Sequence, residues 1–206
     1  MKRTLSCAFL FVLLLGASAS AFAGFYSYSP SPPDLYDLPH SNYFSWGISW
    51  SAPSGEEITD ATLFIKSLNN WTWENGDTLF IRLLDNPAVG VTTFSDTDST
   101  NGHPPAYDNW SGQGALIDAY HDYNENVPVD KTYRFSSLGL VPTLKSYASN
   151  GVFGLGFDPD CHYYNCGITL TIQAREIPPV PEPAGLTALA AGLMSLAGLV
   201  SRRRKR

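Results

Sequence analysis

The chain has 206 residues, 44% of them hydrophobic and 16% charged, with a formal net charge of −6. All nineteen acidic residues fall between Gly24 and Pro183, against six basic ones, so that stretch carries −13 while the remaining cations sit at the two ends. A body this acidic excludes nucleic acid as a partner, because phosphate binding depends on clustered Lys and Arg; divalent cations or basic polymers are what it can attract.

In chain order, Lys2 and Arg3 precede an apolar run from Leu5 to Leu15 that is too short to span a bilayer. Ala21-Phe22-Ala23 then has the small-x-small form of a cleavage site, so residues 1–23 read as a signal peptide for Sec-type export machinery. Cys7 precedes most of the apolar run, so it leaves with the signal peptide, and the mature chain starts near Gly24. Residues 24–177 suffice for one extracytoplasmic domain with a real core. Pro30, Pro32 and Pro33 mark an extended lead-in. From Tyr43 to Trp50 the aromatic and aliphatic residues Phe44, Trp46, Ile48 and Trp50 alternate with Tyr43, Ser45, Gly47 and Ser49, which predicts a strand with one buried face. Further strands are predicted over Ala61–Leu68, Thr78–Leu84, Val89–Phe94, Gly114–Tyr120, Lys131–Phe135, Val152–Phe157 and Ile168–Ala174, with a turn at Asn75-Gly76. One short helix is predicted over Pro142–Asn150, since Pro142 suits a first turn and Gly151 a stop. Many short strands and scarce helix predict an all-β fold, a jelly-roll-like β-sandwich.

Signatures of catalysis are missing: there is no G-x-S-x-G elbow, no H-E-x-x-H pair and no phosphate loop. His40, His103, His121 and His162 each sit in polar, turn-like sequence, where a surface role is the ordinary one, so the expectation is a protein that is not an enzyme. Calcium is the better candidate cofactor. Asp96-x-Asp98-x-Thr100-Asn101-Gly102 resembles the start of an EF-hand loop, but the glycine falls late and Tyr107 stands where the closing Glu belongs. Asp158 and Asp160 flank Pro159, and Asp118, His121, Asp122 and Asn124 crowd one strand end. Such oxygens suit Ca²⁺, while a turn or cap uses the same residues with no ion. Cys161 and Cys166 remain after export, an even number in an oxidising compartment, which predicts a disulfide; the rival is a metal site using both thiolates and His162. Trp46 and Trp50 belong to the core by their phase. Trp71, Trp73 and Trp110 lie in polar loop sequence, as candidate stacking platforms for a glycan or as lids folded back on the sandwich.

The tail closes the chain. Pro178 and Pro179 open a stiff spacer, followed by Pro181-Glu182-Pro183, an uncharged apolar helix over about 184–201, and the basic run Arg202-Arg203-Arg204-Lys205-Arg206. Seventeen residues, Ala184 to Val200, rise about 26 Å as a helix, at the short end of what spans a bilayer. The five cations beyond it favour a cytoplasmic C-terminus. This arrangement of Pro-Glu-Pro, helix and basic end over residues 178–206 resembles the sorting tails of PEP-CTERM proteins, the substrates of exosortases. The resemblance implies recognition by an exosortase, a transient anchor in the inner membrane, cleavage near Pro181-Glu182-Pro183, and delivery to the cell surface or extracellular matrix in association with exopolysaccharide or biofilm. The body, with blocks such as Asn75-Gly76-Asp77-Thr78-Leu79-Phe80-Ile81, is similar to β-sandwich ectodomains on proteins with such tails, a likeness that carries no activity. Two roles stay open on these grounds: a structural, exopolysaccharide-associated protein, or a glycan-active enzyme or carbohydrate-binding module delivered by the same tail.

Overall fold

In the first predicted strand Phe44, Trp46, Ile48 and Trp50 are all buried in one core as read, but Ser45 and Gly47 on the opposite face are buried as well. The computed structural model describes residues 23–31, 35–70, 78–96, 107–123 and 127–177. They belong to a unit spanning Phe22–Ile177. In chain order the elements are β1 (Ala23–Tyr28), β2 (Asp37–Leu38), β3 (Asn42–Ser49), β4 (Glu56–Asn70), β5 (Thr78–Asp85), β6 (Gly90–Ser95), β7 (Gly114–His121), β8 (Val129–Arg134), α1 (Val141–Ala148), β9 (Val152–Pro159), β10 (Tyr163–Tyr164) and β11 (Ile168–Glu176). The fold is an all-β sandwich with one short helix.

One sheet runs β1-β11-β4-β10-β2 with β8 also paired to β4, and the other runs β6-β3-β9-β5-β7. The paired strands are antiparallel. Side chains of alternate residues meet between the sheets: Leu63 and Ile65 from β4, Ile168, Leu170 and Ile172 from β11, Leu79, Ile81 and Leu83 from β5, and Phe153, Leu155 and Phe157 from β9. Burying such chains is the main force holding the two sheets together, at roughly 1.5–3 kcal/mol for each fully buried one. Helix α1 touches β4 from one sheet and β5 and β9 from the other, and inserts Leu144 into the core. Gly151, with φ of +93°, makes the turn from α1 into β9, a conformation that favours glycine.

Polar groups join the sheets along one side. The Tyr133 hydroxyl on β8 donates to the Asp118 carboxylate on β7 at 2.8 Å. Lys131 Nζ lies 4.0 Å from the centre of the Tyr120 ring, a cation–π contact between the same two strands.

Five of the predicted strands run longer in the structure, three are shifted by a residue or two, and β1, β2 and β10 are added. β4 runs the full 15 residues from Glu56, past a bulge at Ser67, whose φ of +52° interrupts the register with β8. Asp130 accepts the Ser67 backbone N–H at 2.8 Å and satisfies the group that the bulge frees. The predicted turn at Asn75-Gly76 lies outside the described residues, while β4 and β5 on either side of it in sequence belong to different sheets.

The expected disulfide is a correction. No bridge joins Cys161 and Cys166. The Cys161 side chain is fully buried in the core, whereas Cys166 is exposed. Between them β10 is pinned as a strand, with Tyr163 paired to Leu38 on one side and to Asn70 on the other. The segment expected as a closed loop thus carries a two-residue strand between two bends, with one thiol inward and the other out.

Candidate functional site

β9 occupies the centre of the five-stranded sheet, and its outer face carries a buried polar cluster. Gly154 and Gly156 alternate there with Asp158. A Cβ on Gly154 would lie 2.5 Å from Pro87, and one on Gly156 would lie 2.8 Å from the Trp110 ring, so both positions need glycine to let loops lie flat on the sheet. Trp110 fills the slot above Gly156 and meets Tyr43 and Phe94 edge-on, with ring centres 5.1 and 5.6 Å away.

The loop bearing Trp110 is held by three carboxylates. Asp158 is fully buried and accepts the Asn109 backbone N–H, and both its oxygens accept from Asn109 Nδ2. Asp108 caps the turn by accepting the Trp110 N–H at 3.0 Å, and it pairs with Arg82 Nε at 2.7 Å. Asp160 accepts the Tyr107 N–H at 3.2 Å. Burial pushes the Asp158 carboxyl up to about 7; the Asn109 donors work against this, and the nearby charges of Asp96 and Asp108 add to it. The structure therefore sets Asp96, from the EF-hand-like segment, near the Asp158–Asp160 pair, and adds Asp108 and Asn109, which were not among the candidate ligands.

As calcium ligands these residues do not assemble. Among the described residues, no group of three His, Cys, Asp or Glu side chains is placed to hold a metal ion. Asp158 accepts from the Asn109 backbone and amide, Asp160 accepts through Oδ1 from the Tyr107 N–H, and Asp108 divides its oxygens between the Trp110 N–H and Arg82, the turn-and-cap use of the same chemistry. Asp118 and Asp122 serve likewise: Asp118 accepts from Tyr133, and Asp122, itself buried, accepts the Asn70 backbone N–H at 3.1 Å. Burial, with Asp122 and Asp118 beside it, pushes the Tyr120 phenol up to about 12, and burial followed by the Asp118 bond drives Tyr133 higher still, so both remain neutral donors. The zinc alternative fails in the same region, because Cys161 is buried in the core and His162 pairs with Asp37.

Trp110 is also a correction as a stacking platform. Its indole is 7% exposed, enclosed by Tyr43, Phe94 and the Gly156 backbone, so it is a lid and offers no free face. Trp71, Trp73 and Asp98 lie outside the described residues, as do Pro181, Glu182, Pro183, the apolar segment at 184–201 and Arg202, Arg203, Arg204, Lys205 and Arg206. Among the described residues no helix is long and apolar enough to cross a membrane.

A groove of 510 Å³ opens elsewhere, between the C-terminal end of α1, the β3–β4 connection and the first residues of β4. Trp50, Glu56, Glu57, Lys145, Ser149 and Asn150 line it. Its volume falls in the ~300–1,000 Å³ range of ligand clefts. Its two main walls are tied by the bond from Trp50 N to the Gly151 carbonyl at 2.9 Å. Glu57 accepts from Lys145 Nζ and from Arg175 Nη2, each at 3.0 Å, and these two cations hold its carboxyl below the usual range. Glu56 accepts the Tyr26 hydroxyl at 2.9 Å. No sequence motif pointed to this groove, because its residues come from segments almost a hundred positions apart.

In comparison with known proteins, no family model matches the chain and no curated protein matches it.

Proposed function

We propose that this protein is an exported cell-surface or extracellular-matrix protein, sorted by an exosortase, whose jelly-roll-like sandwich has a structural, exopolysaccharide-associated role. The observation that carries this reading is the ordered tail: Pro181-Glu182-Pro183, the uncharged apolar stretch from Ala184 to Val200 and the basic run from Arg202 to Arg206. The signal peptide at 1–23 routes the chain through Sec-type machinery, and the apolar helix holds it in the inner membrane until the exosortase acts. The domain's architecture suits delivery on a stalk. Ala23 at the start of β1 pairs with Arg175 at the end of β11, so the first and last strands of the domain lie side by side. Among the described residues the carboxylate raised to near neutrality, Asp158, is enclosed and bonded to Asn109, which does not favour the glycan-active enzyme.

Mass spectrometry of the mature protein from its native host tests the proposal. The expected product starts at or near Gly24 and ends in the Pro-Glu-Pro region. An intact Arg202–Arg206 end throughout the exported pool would overturn exosortase processing. In a host without an exosortase the protein stays in the membrane fraction.

A further inference from the structure

We propose that the groove between α1 and the β3–β4 connection is a carbohydrate-binding site that takes a short run of neutral hexose units. This deepens the exopolysaccharide reading above and moves its seat away from the loop tryptophans.

The argument starts from charge. The groove holds two carboxylates, Glu56 and Glu57, and one ammonium, Lys145, with the Arg175 guanidinium bonded to Glu57 from behind. An anionic ligand meets Glu56 and Glu57; a cationic one meets Lys145 and Arg175. Neither sign has the field to itself, which disfavours phosphates, sulfated or uronic chains and polyamines alike. A neutral ligand that donates and accepts at neighbouring positions faces no such conflict. Vicinal hydroxyls do this, since each offers one donor and two acceptor sites.

The groups that line the groove retain capacity for such a ligand. Lys145 has three N–H donors and spends one on Glu57. Glu56 accepts one bond from a neutral phenol and keeps further lone pairs. The last carbonyls of α1 have no intrahelical partner beyond those the turn supplies, and they face the same end of the helix as Ser149 and Asn150. Trp50, in edge contact with Tyr26 at 5.2 Å, is only 5% exposed where it lines the groove, so recognition falls to the polar groups around it. These positions are fixed before any ligand arrives. Glu57 is clamped by two cations, Asn150 bonds Asp85 and the Val152 N–H, and Ser149 bonds the Ser146 carbonyl. Preorganisation of this kind keeps the ordering cost of binding low.

The test is calorimetric titration of the full-length protein in detergent with neutral glucose-, galactose- and mannose-based oligosaccharides, set against sialylated, sulfated and glucosamine oligomers. Saturable binding of at least one neutral oligomer, stronger than that of any charged one, is expected. Lys145→Ala and Glu56→Gln should each weaken it about tenfold or more, the loss associated with a charge-assisted hydrogen bond. Melting temperatures should barely move, because an exposed ion pair such as Lys145–Glu57 adds little stability and Gln still accepts from Tyr26. No saturable neutral binding, tighter binding of a charged oligomer, or full affinity in both variants would overturn the assignment. The groove and the sorting proposal fail separately. Loss of oligosaccharide binding leaves the processed ends found by mass spectrometry untouched, and an unprocessed tail leaves the titration untouched.

Discussion

Toward the interior β9 presents Phe153, Leu155 and Phe157, all fully buried, whereas toward the outside it presents Gly154, Gly156 and Asp158 under a loop. Both faces are dry, yet they are made dry by opposite means. The inner face excludes water with bulk, and any set of apolar side chains of suitable volume would serve. The outer face excludes water by removing side chains, so that Pro87 and Trp110 can approach the backbone, and then by satisfying one buried carboxylate with three donor contacts from a single asparagine. Packing on the inside is non-directional and tolerant. On the outside it depends on particular atoms, and an error there leaves a charge or a backbone group unsatisfied.

The largest effect should come from breaking the inner face. Phe157→Ala removes a ring from the centre of the sandwich and should cost about 3–5 kcal/mol in urea unfolding, with a lower midpoint and an unchanged slope. A loss below 1 kcal/mol would mean that β9 is not the core strand described.

The outer face should announce itself through pH. Burial raises the Asp158 carboxyl from its ordinary 3.8 to about 7 in the folded chain, so the folded state holds that proton more tightly than the unfolded state does. Its contribution is therefore fully present below about pH 4 and is lost as pH rises through about 7, by up to about 4 kcal/mol. Asp60 has the opposite sign. Burial works against its charge, but the Arg134 guanidinium, Ser136 and the Ala61 N–H prevail and hold its carboxyl below 3.8, so its contribution is lost only on acidification below that value. The two windows separate. Thermal unfolding followed from pH 4 to pH 8 should show a decline that Asp158→Asn flattens, and an equal slope in the variant would remove Asp158 as its source.

A smaller loss is expected from Gly156→Ala. The added Cβ would stand 2.8 Å from the Trp110 ring, and overpacking of this kind costs about 1–3 kcal/mol. Because the indole must lift off the sheet, its fluorescence should shift to the red while the far-ultraviolet spectrum stays that of the native sandwich. An unshifted spectrum would place Trp110 elsewhere.

The contrast between the faces also explains what the sequence made legible. Period-two alternation reports a strand with one apolar face, so β3, β9 and β11 could be read almost to their ends from Phe44-Trp46-Ile48, Phe153-Leu155-Phe157 and Ile168-Leu170-Ile172. β2 and β10, two residues each, are too short for any period to register, and they exist because their neighbours offer a free edge. The roles of Asp158, Asp108 and Trp110 were hidden for a related reason. A carboxylate that binds an ion and one that holds a loop are the same residue in a sequence, and only Asn109, 49 positions away, distinguishes them. The groove was equally illegible, since Glu57 and Lys145 meet 88 positions apart.

The two cysteines sharpen the comparison at the smallest energetic scale, because here a buried and an exposed position differ with no bond between them. Cys161 lies in the core and Cys166 at the surface, on either side of the pinned strand β10. A maleimide added to the native protein should label Cys166 within minutes. It should reach Cys161 only under conditions that unfold the sandwich, since reaction needs a solvent-exposed thiolate. Reduction should leave the melting temperature where it was, because a bridge that constrained the unfolded chain would be worth about 2 kcal/mol even for so short a loop, and none is present. Peptide mapping under non-reducing conditions gives the decisive readout. A linked Cys161–Cys166 peptide in the native protein would show that β10 gives way to a closed loop, and with it the pairing of Tyr163 to Leu38 and Asn70 would fall.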